Sequence, residues 1–334
     1  MTTRISSLAI PALCLAIALM VGLLGTLFDP QYAAGAGGSN QNVTVRLNVS
    51  NTEPTVFEVI VDDATDSPAN AIDLQAGATT EVLCNASASD PNGGQDMINA
   101  TADLFASGLS ATPFSTLGNA SHMRNSTCLE FYAIAGAQNN RSFICRFNMD
   151  YFAFNTTWTC NMTVRDNGGS RGPPKVYLNA SGSDTVGINQ LVAINLTTLT
   201  VDYGNLSVTE TSAEQNINVT NVGNVRTNFT VLGYGGENQT GLNASNFSMI
   251  CESGNISIQE ERYSNVSGVA FANMIALNGS ATVVKNVTLM NRTNDSSPLI
   301  DGAYNVTFWK IHVPLSVGGL CNGTIQFSAT TAAS

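Results

Sequence analysis

Thr156-Thr157-Trp158-Thr159-Cys160-Asn161-Met162-Thr163-Val164-Arg165-Asp166 alternates apolar and polar side chains with a period of two. That is the pattern of a β-strand with two unlike faces. Trp158, Cys160, Met162 and Val164 share one face, which reads as buried. Thr157, Thr159, Asn161, Thr163 and Arg165 share the other. Asn161-Met162-Thr163 is an acceptor triplet for N-linked sugar, and such a site must face solvent. Asp166-Asn167-Gly168 then supplies the residues of a tight turn.

Around this strand the chain runs to 334 residues, enough for about two domains. Its net charge is −11, yet charged residues make up only 11% of it. The acidic balance excludes a basic nucleic-acid surface. A soluble exterior normally carries about a quarter of its residues as Asp, Glu, Lys and Arg, so other polar groups take their place here. Of 37 asparagines, 25 begin an Asn-x-Ser/Thr triplet without a middle proline. Serine and threonine occupy about a fifth of the chain, so about seven triplets would arise by chance.

The acceptors in the first part are Asn42, Asn48, Asn85, Asn99, Asn119, Asn125, Asn140, Asn155, Asn161 and Asn179. Asn195, Asn205, Asn218, Asn228, Asn238, Asn243, Asn246 and Asn255 follow, then Asn265, Asn278, Asn286, Asn291, Asn294, Asn305 and Asn322. An excess of this size points to a secreted glycoprotein. Many triplets lie inside alternating runs, among them those at Asn42, Asn218, Asn255, Asn286 and Asn305. There the middle residue is expected to point inward, with the Asn and the Ser/Thr pointing outward together. Sugar at such places hydrates the outer face and screens strand edges from other chains. A generic Asn/Thr-rich β-protein is the plainer alternative.

Cys14 lies in an apolar amino-terminal run. Cys84, Cys128, Cys145, Cys160, Cys251 and Cys321 lie outside it. An even number in such a chain implies an oxidising, extracellular compartment and three disulfides. Six cysteines admit fifteen pairings. The favoured set joins Cys84 to Cys160 across a sandwich, Cys128 to Cys145 around a hairpin, and Cys251 to Cys321 within the second half.

Leu8 through Phe28 hold no charge, long enough to cross a bilayer as a helix. Residues 1–36 thus read as a cleaved signal, with Ala34-Gly35-Ala36 as a cleavage site, or as a membrane anchor. A pilin-like helix that packs into a filament core is a third reading. Residues 37–53 form a flexible spacer and an extra strand, in which Val43, Val45, Leu47 and Val49 share a face. That strand is either a split edge strand or a segment donated to a neighbouring subunit.

Two further strands are expected within 57–61 and 79–89, separated by an acidic loop containing Asp62, Asp63 and Asp66. A strand near 98–105 follows. Residues 109–125 read as loop. A hairpin over 127–149 precedes the quoted strand, and further strands are expected at 175–178 and 186–195.

Cys84 and Cys160 flank a long excursion, with an aromatic two residues before the second cysteine. That layout resembles an immunoglobulin-type sandwich, with Trp158 where a corner tyrosine usually stands. Asn85-Ala86-Ser87-Ala88-Ser89-Asp90-Pro91-Asn92-Gly93 together with Trp158 to Asp166 resembles the Ig-like repeats of archaeal cell-surface proteins. Over 197–334, Asp202-Tyr203-Gly204-Asn205-Leu206 and Thr220-Asn221-Val222-Gly223-Asn224-Val225 resemble the hydin-type (ASH-like) immunoglobulin fold. The resemblance implies an all-β chain: two tandem immunoglobulin-like β-sandwiches, at 54–196 and 197–334, behind an N-terminal hydrophobic helix. It implies no enzyme.

The residues agree with that last point. His122 and His312 read as surface or loop histidines, away from any nucleophile motif. Glu260-Glu261, or Glu210 with Glu214, are the available carboxylate pairs for glycoside chemistry. Asp90, Asn92 and Asp96 are the metal candidates, spaced as a calcium loop, although the same composition makes an ordinary turn. No other cofactor is expected beyond covalent glycans. The reading is a glycosylated structural subunit of a surface filament or layer, self-associating and membrane-attached if its helix is retained. The alternative is a surface adhesin using residues 106–150 as its recognition loop.

Overall fold

Alternation along the quoted strand places four side chains in the core. Trp158, Cys160, Met162 and Val164 are all fully buried in the computed structural model, which describes residues 43–63, 71–109, 120–130, 138–167, 179–241, 244–293 and 302–332. The expected apolar helix, the residue-64–70 part of the acidic loop and the strand near 175–178 lie outside these. No helix among the described residues is long and apolar enough to cross a membrane.

The described residues are all-β, relieved only by single turns of 3-10 helix. Its first strands are β1 (Thr55–Asp63), β2 (Ala71–Ile72), β3 (Thr79–Ser89), β4 (Met97–Ala106), β5 (His122–Asn125), β6 (Leu129–Glu130), β7 (Asn140–Asp150), β8 (Thr157–Asp166) and β9 (Asn179–Ile188). They form two sheets, ordered β1-β3-β7-β6 and β2-β9-β8-β4-β5. Every pairing is antiparallel except β2 with β9. The two inner faces share one core, in which Val82, Ala86, Phe147 and Met149 meet Ala102, Leu104, Trp158 and Met162. Trp158 Nε1 donates to Phe154 O at 2.9 Å, so its buried polar atom is satisfied four residues upstream.

The remaining strands are β10 (Ile194–Leu196), β11 (Gln215–Asn221), β12 (Thr227–Gly235), β13 (Phe247–Ser253), β14 (Asn255–Ser257), β15 (Glu261–Ser264), β16 (Ile275–Ala276), β17 (Thr282–Val283), β18 (Tyr304–Ile311) and β19 (Gly318–Thr331). They build sheets β10-β11-β18-β15-β16 and β14-β13-β19-β12-β17. A second core of Val219, Phe229, Val231, Tyr263, Leu289 and Trp309 lies with them. Between β13 and β14 the chain reverses at Gly254, φ 68°. A Cβ there would collide with Ser316 O, so only glycine fits.

Three disulfides close the structure: Cys84–Cys160, Cys128–Cys145 and Cys251–Cys321. The first spans the two sheets of the first core. The third joins residues directly opposite on β13 and β19. A smaller apolar cluster of Ala120, Tyr151 and Phe152, with Leu191 and Val222, sits where the two cores abut. Asn224 bridges there, accepting from Leu191 N at 2.8 Å and donating to Asn189 O at 3.0 Å.

Several sequence expectations change. The chain divides between Asn48 and Val49, and residues 43–50 form no strand. The edge-strand reading therefore fails for the isolated chain. Residues 122–125 are strand rather than loop, because β4 offers them an unpaired edge. The strand expected over 186–195 is interrupted, with 189–193 lying outside β9 and β10. Residues 197–210, apolar at alternate positions, also stay out of the sheets. Asn286-Val287-Thr288-Leu289 is not a strand: Asn286 has φ 59°, and only Leu289 bridges, to Thr227.

Candidate functional site

β19 is central in its sheet, between β12 and β13, yet none of its 14 residues is buried. Its register pairs Phe327 with Val231 and Ala329 with Phe229, both core residues, so Gly323, Ile325 and Phe327 face inward. What they face is a concavity of about 480 Å³, lined also by Leu196, Val201, Tyr203, Ile217, Met249 and Glu261. A second hollow of about 320 Å³ shares Val201 and Tyr203 in its lining. The non-strand segment 197–206 thus borders two openings in the flank of the second core. Leu199 and Leu320 are exposed beside them.

At the floor of the larger opening, Glu261 is only 2% exposed. It accepts a 2.7 Å hydrogen bond from the Tyr203 hydroxyl. Burial pushes its carboxyl up to about 7, with the tyrosine bond pulling the other way. Tyr203 is itself raised well above the usual range, by burial first and the neighbouring carboxylate second.

Elsewhere, Val43, Val45 and Leu47 are 85, 86 and 87% exposed, and Val49 is 71% exposed. Four apolar residues at alternate positions in water are costly to leave uncovered.

The acidic residues regroup at one end of the first core. Asp90, Asp96 and Asp166 place carboxylate oxygens within 4.8 Å of one another. Asp90 follows β3, Asp96 ends a 3-10 turn before β4, and Asp166 ends β8. Asp90 and Asp166 are fully buried. Asn92 does not join them. It accepts from Thr52 N at 2.7 Å and donates to Ser50 O at 3.2 Å. Asp166, which the sequence reads only as a turn residue, takes its place and accepts from Asn51 Nδ2 at 2.7 Å. Burial raises the Asp90 carboxyl, an Asn92 backbone bond lowers it, and the charges of Asp96 and Asp166 raise it further.

Asn42, Asn119, Asn243 and Asn294, with the side chain of Asn179, lie outside the described residues. The other twenty triplet asparagines all reach solvent at least in part. The described asparagines that are buried, Asn221 and Asn224, begin no triplet. At Asn85, Asn99, Asn161, Asn218, Asn228, Asn255 and Asn286 the middle residue is buried and its neighbours are not. Asn305 departs from this pattern. Thr307 is fully buried and donates to Ile217 O at 3.2 Å, which puts Asn305 on the inward face of β18. Asn85 has its amide oxygen enclosed although its residue is partly exposed.

The candidates for catalysis are dispersed. His122 is buried, not on a surface loop, and stands 3.6 Å from Asp103. His312 Nδ1 lies 2.9 Å from Glu260 Oε2. Glu260 is partly exposed, whereas its chain neighbour Glu261 is buried, so the two do not face one another. Glu210 receives Ser207 N at 2.9 Å. Glu214 receives Ser267 Oγ and Gly268 N, and the serine bond, ahead of Lys310, holds it below the usual range.

No protein-family model matches the chain, and no curated protein matches it. Among solved structures, a chain from a chaperone–tip adhesin complex of CFA/I fimbriae is 11% identical, with a TM-score of 0.30 over 86% of this chain and 90% of that one. A DUF4466 family protein from Parabacteroides merdae is 9% identical, with a TM-score of 0.23 over 78% of this chain and 100% of that one. Likeness at that level carries no argument about fold or function.

Proposed function

We propose that this chain is an extracellular, N-glycosylated structural subunit that assembles into a surface filament or layer. Residues 54–196 and 197–334 act as two immunoglobulin-like sandwiches, and the apolar amino-terminal run delivers or anchors them outside the cell. Assembly proceeds by strand donation: residues 43–49 of one copy enter the open flank of the second sandwich in the next. The carrying observation is the mismatch between two unsatisfied surfaces. An alternating apolar segment is 71–87% exposed, while a central strand with no buried residue faces a concavity of about 480 Å³. An extended segment whose alternate side chains fill such a groove gains burial. Three disulfides support an oxidising exterior.

Val45→Asp with Leu47→Asp tests this. Both side chains are almost wholly exposed in the single chain, so its melting temperature should not move. Polymers on cells, counted by electron microscopy, should disappear. Normal filaments from this variant, or from a chain beginning at Glu53, would end the donation reading. Shed monomers that bind cells would favour the adhesin instead.

A further inference from the structure

We infer that Asp90, Asp96 and Asp166 form a calcium site at the root of the amino-terminal segment, independent of how the chain assembles. The argument starts from Asp90. Its residue is 0% exposed, and its Oδ1 accepts from Asn92 N at 2.7 Å. Its Oδ2 is enclosed with no hydrogen-bond partner among the described residues, although a buried carboxylate oxygen without a partner is costly. The two neighbouring carboxylates are also acceptors, not donors, when ionised. What satisfies this arrangement is a cation.

The donor set identifies which cation. All three ligands are hard oxygens, which suits calcium or magnesium rather than a thiolate- or imidazole-seeking metal. The ligand atoms all lie within 4.8 Å of one another, close enough to share one ion. Calcium accepts an irregular oxygen set of this kind, whereas magnesium demands a near-ideal octahedron. Asn51, whose Nδ2 reaches Asp166 Oδ2, brings a neutral amide to the same cluster.

The position gives the site a mechanical role. Its three carboxylates come from the ends of β3 and β8 and from the turn before β4, so one ion ties both sheets of the first core together. Through Asn51 on Asp166, and Asn92 on Ser50 and Thr52, the same corner holds residues 50–52. Calcium therefore fixes the point from which the apolar segment leaves the fold.

The test uses the full glycosylated chain, stripped with chelator and titrated with calcium chloride alone or magnesium chloride alone. One calcium per chain is expected, with a dissociation constant of about 10⁻⁴–10⁻³ M as in extracellular modules, a raised melting temperature, and a weaker response to magnesium. Asp90→Asn and Asp166→Asn should each weaken calcium binding at least tenfold, whereas Glu81→Gln, in a surface ion pair with Arg146, should not. Should the two buried variants fold poorly, Asp96→Asn, at the partly exposed position, carries the same expectation. Absence of calcium binding by the parent chain at several millimolar, or binding unchanged in Asp96→Asn and Asp90→Asn, overturns the site. Neither result depends on whether filaments form.

Discussion

Glu261 shows how one residue couples chemistry to the fold. Folded, it keeps its proton up to about pH 7; unfolded, it would lose it near 4.5. Between those values the folded state holds the extra proton, so stability falls as pH rises through that window. A shift of this size is worth roughly 3 kcal/mol. Urea unfolding measured from pH 4 to pH 8 should show that decline, and Glu261→Gln should flatten it. The same scale separates the asparagines. Asn221 and Asn224 are buried and begin no triplet, and their amides satisfy backbone groups. The triplet asparagines that the structure describes all reach solvent at least in part, as the alternation of their runs leads one to expect. Asn305 was hidden from that reasoning. Its run alternates like the others, and which parity faces inward is settled only by Trp309, whose Nε1 needs Thr307 Oγ1 at 2.8 Å.

Among the elements, β19 behaves unlike the strands around it. β12 buries every second residue, from Thr227 through Gly235, but β19 buries none. Its hold on the sheet comes from backbone ladders, to β13 over its first residues and to β12 from Gly323 on, and from the Cys251–Cys321 bridge near its start. Replacing both cysteines with alanine releases a constraint across 70 residues. The loss should be about 2–4 kcal/mol, seen as a lower urea midpoint and as faster amide exchange in the first half of β19. An unchanged midpoint would mean that the ladders alone suffice. Nothing in the sequence of β19 announces its missing cover, because that depends on where residues 197–206 run.

Across the whole molecule, two cores meet without an intervening spacer. Asn224 is the hinge pin of that junction, bonded at both ends to 189–191. Arg292 adds a 2.9 Å bond to the Tyr151 hydroxyl and lies over the Phe152 ring. Asn224→Ala removes its bonds to the Leu191 N–H and the Asn189 carbonyl, both only partly buried, at a cost of about 1 kcal/mol for each hydrogen bond lost. Calorimetry should then resolve two melting transitions where the parent chain gives one. A single unaltered transition would show that the apolar cluster of Tyr151, Phe152 and Val222 couples the cores without it.

Strand class, disulfide number and the partial exposure of the triplet asparagines were legible in the sequence. Each is carried by near neighbours: side chains two apart on a strand, a hydroxyl two residues past an asparagine, an even set of thiols. The Asp90–Asp96–Asp166 cluster, the substitution of Asp166 for Asn92 within it, the burial of His122 and Glu261, and the open flank along β19 belong to the tertiary structure alone. They bring together residues far apart along the chain, such as Asp90 and Asp166 or Leu196 and Phe327. Local periodicity carries no information about such distances; only the packing of one sheet against another does.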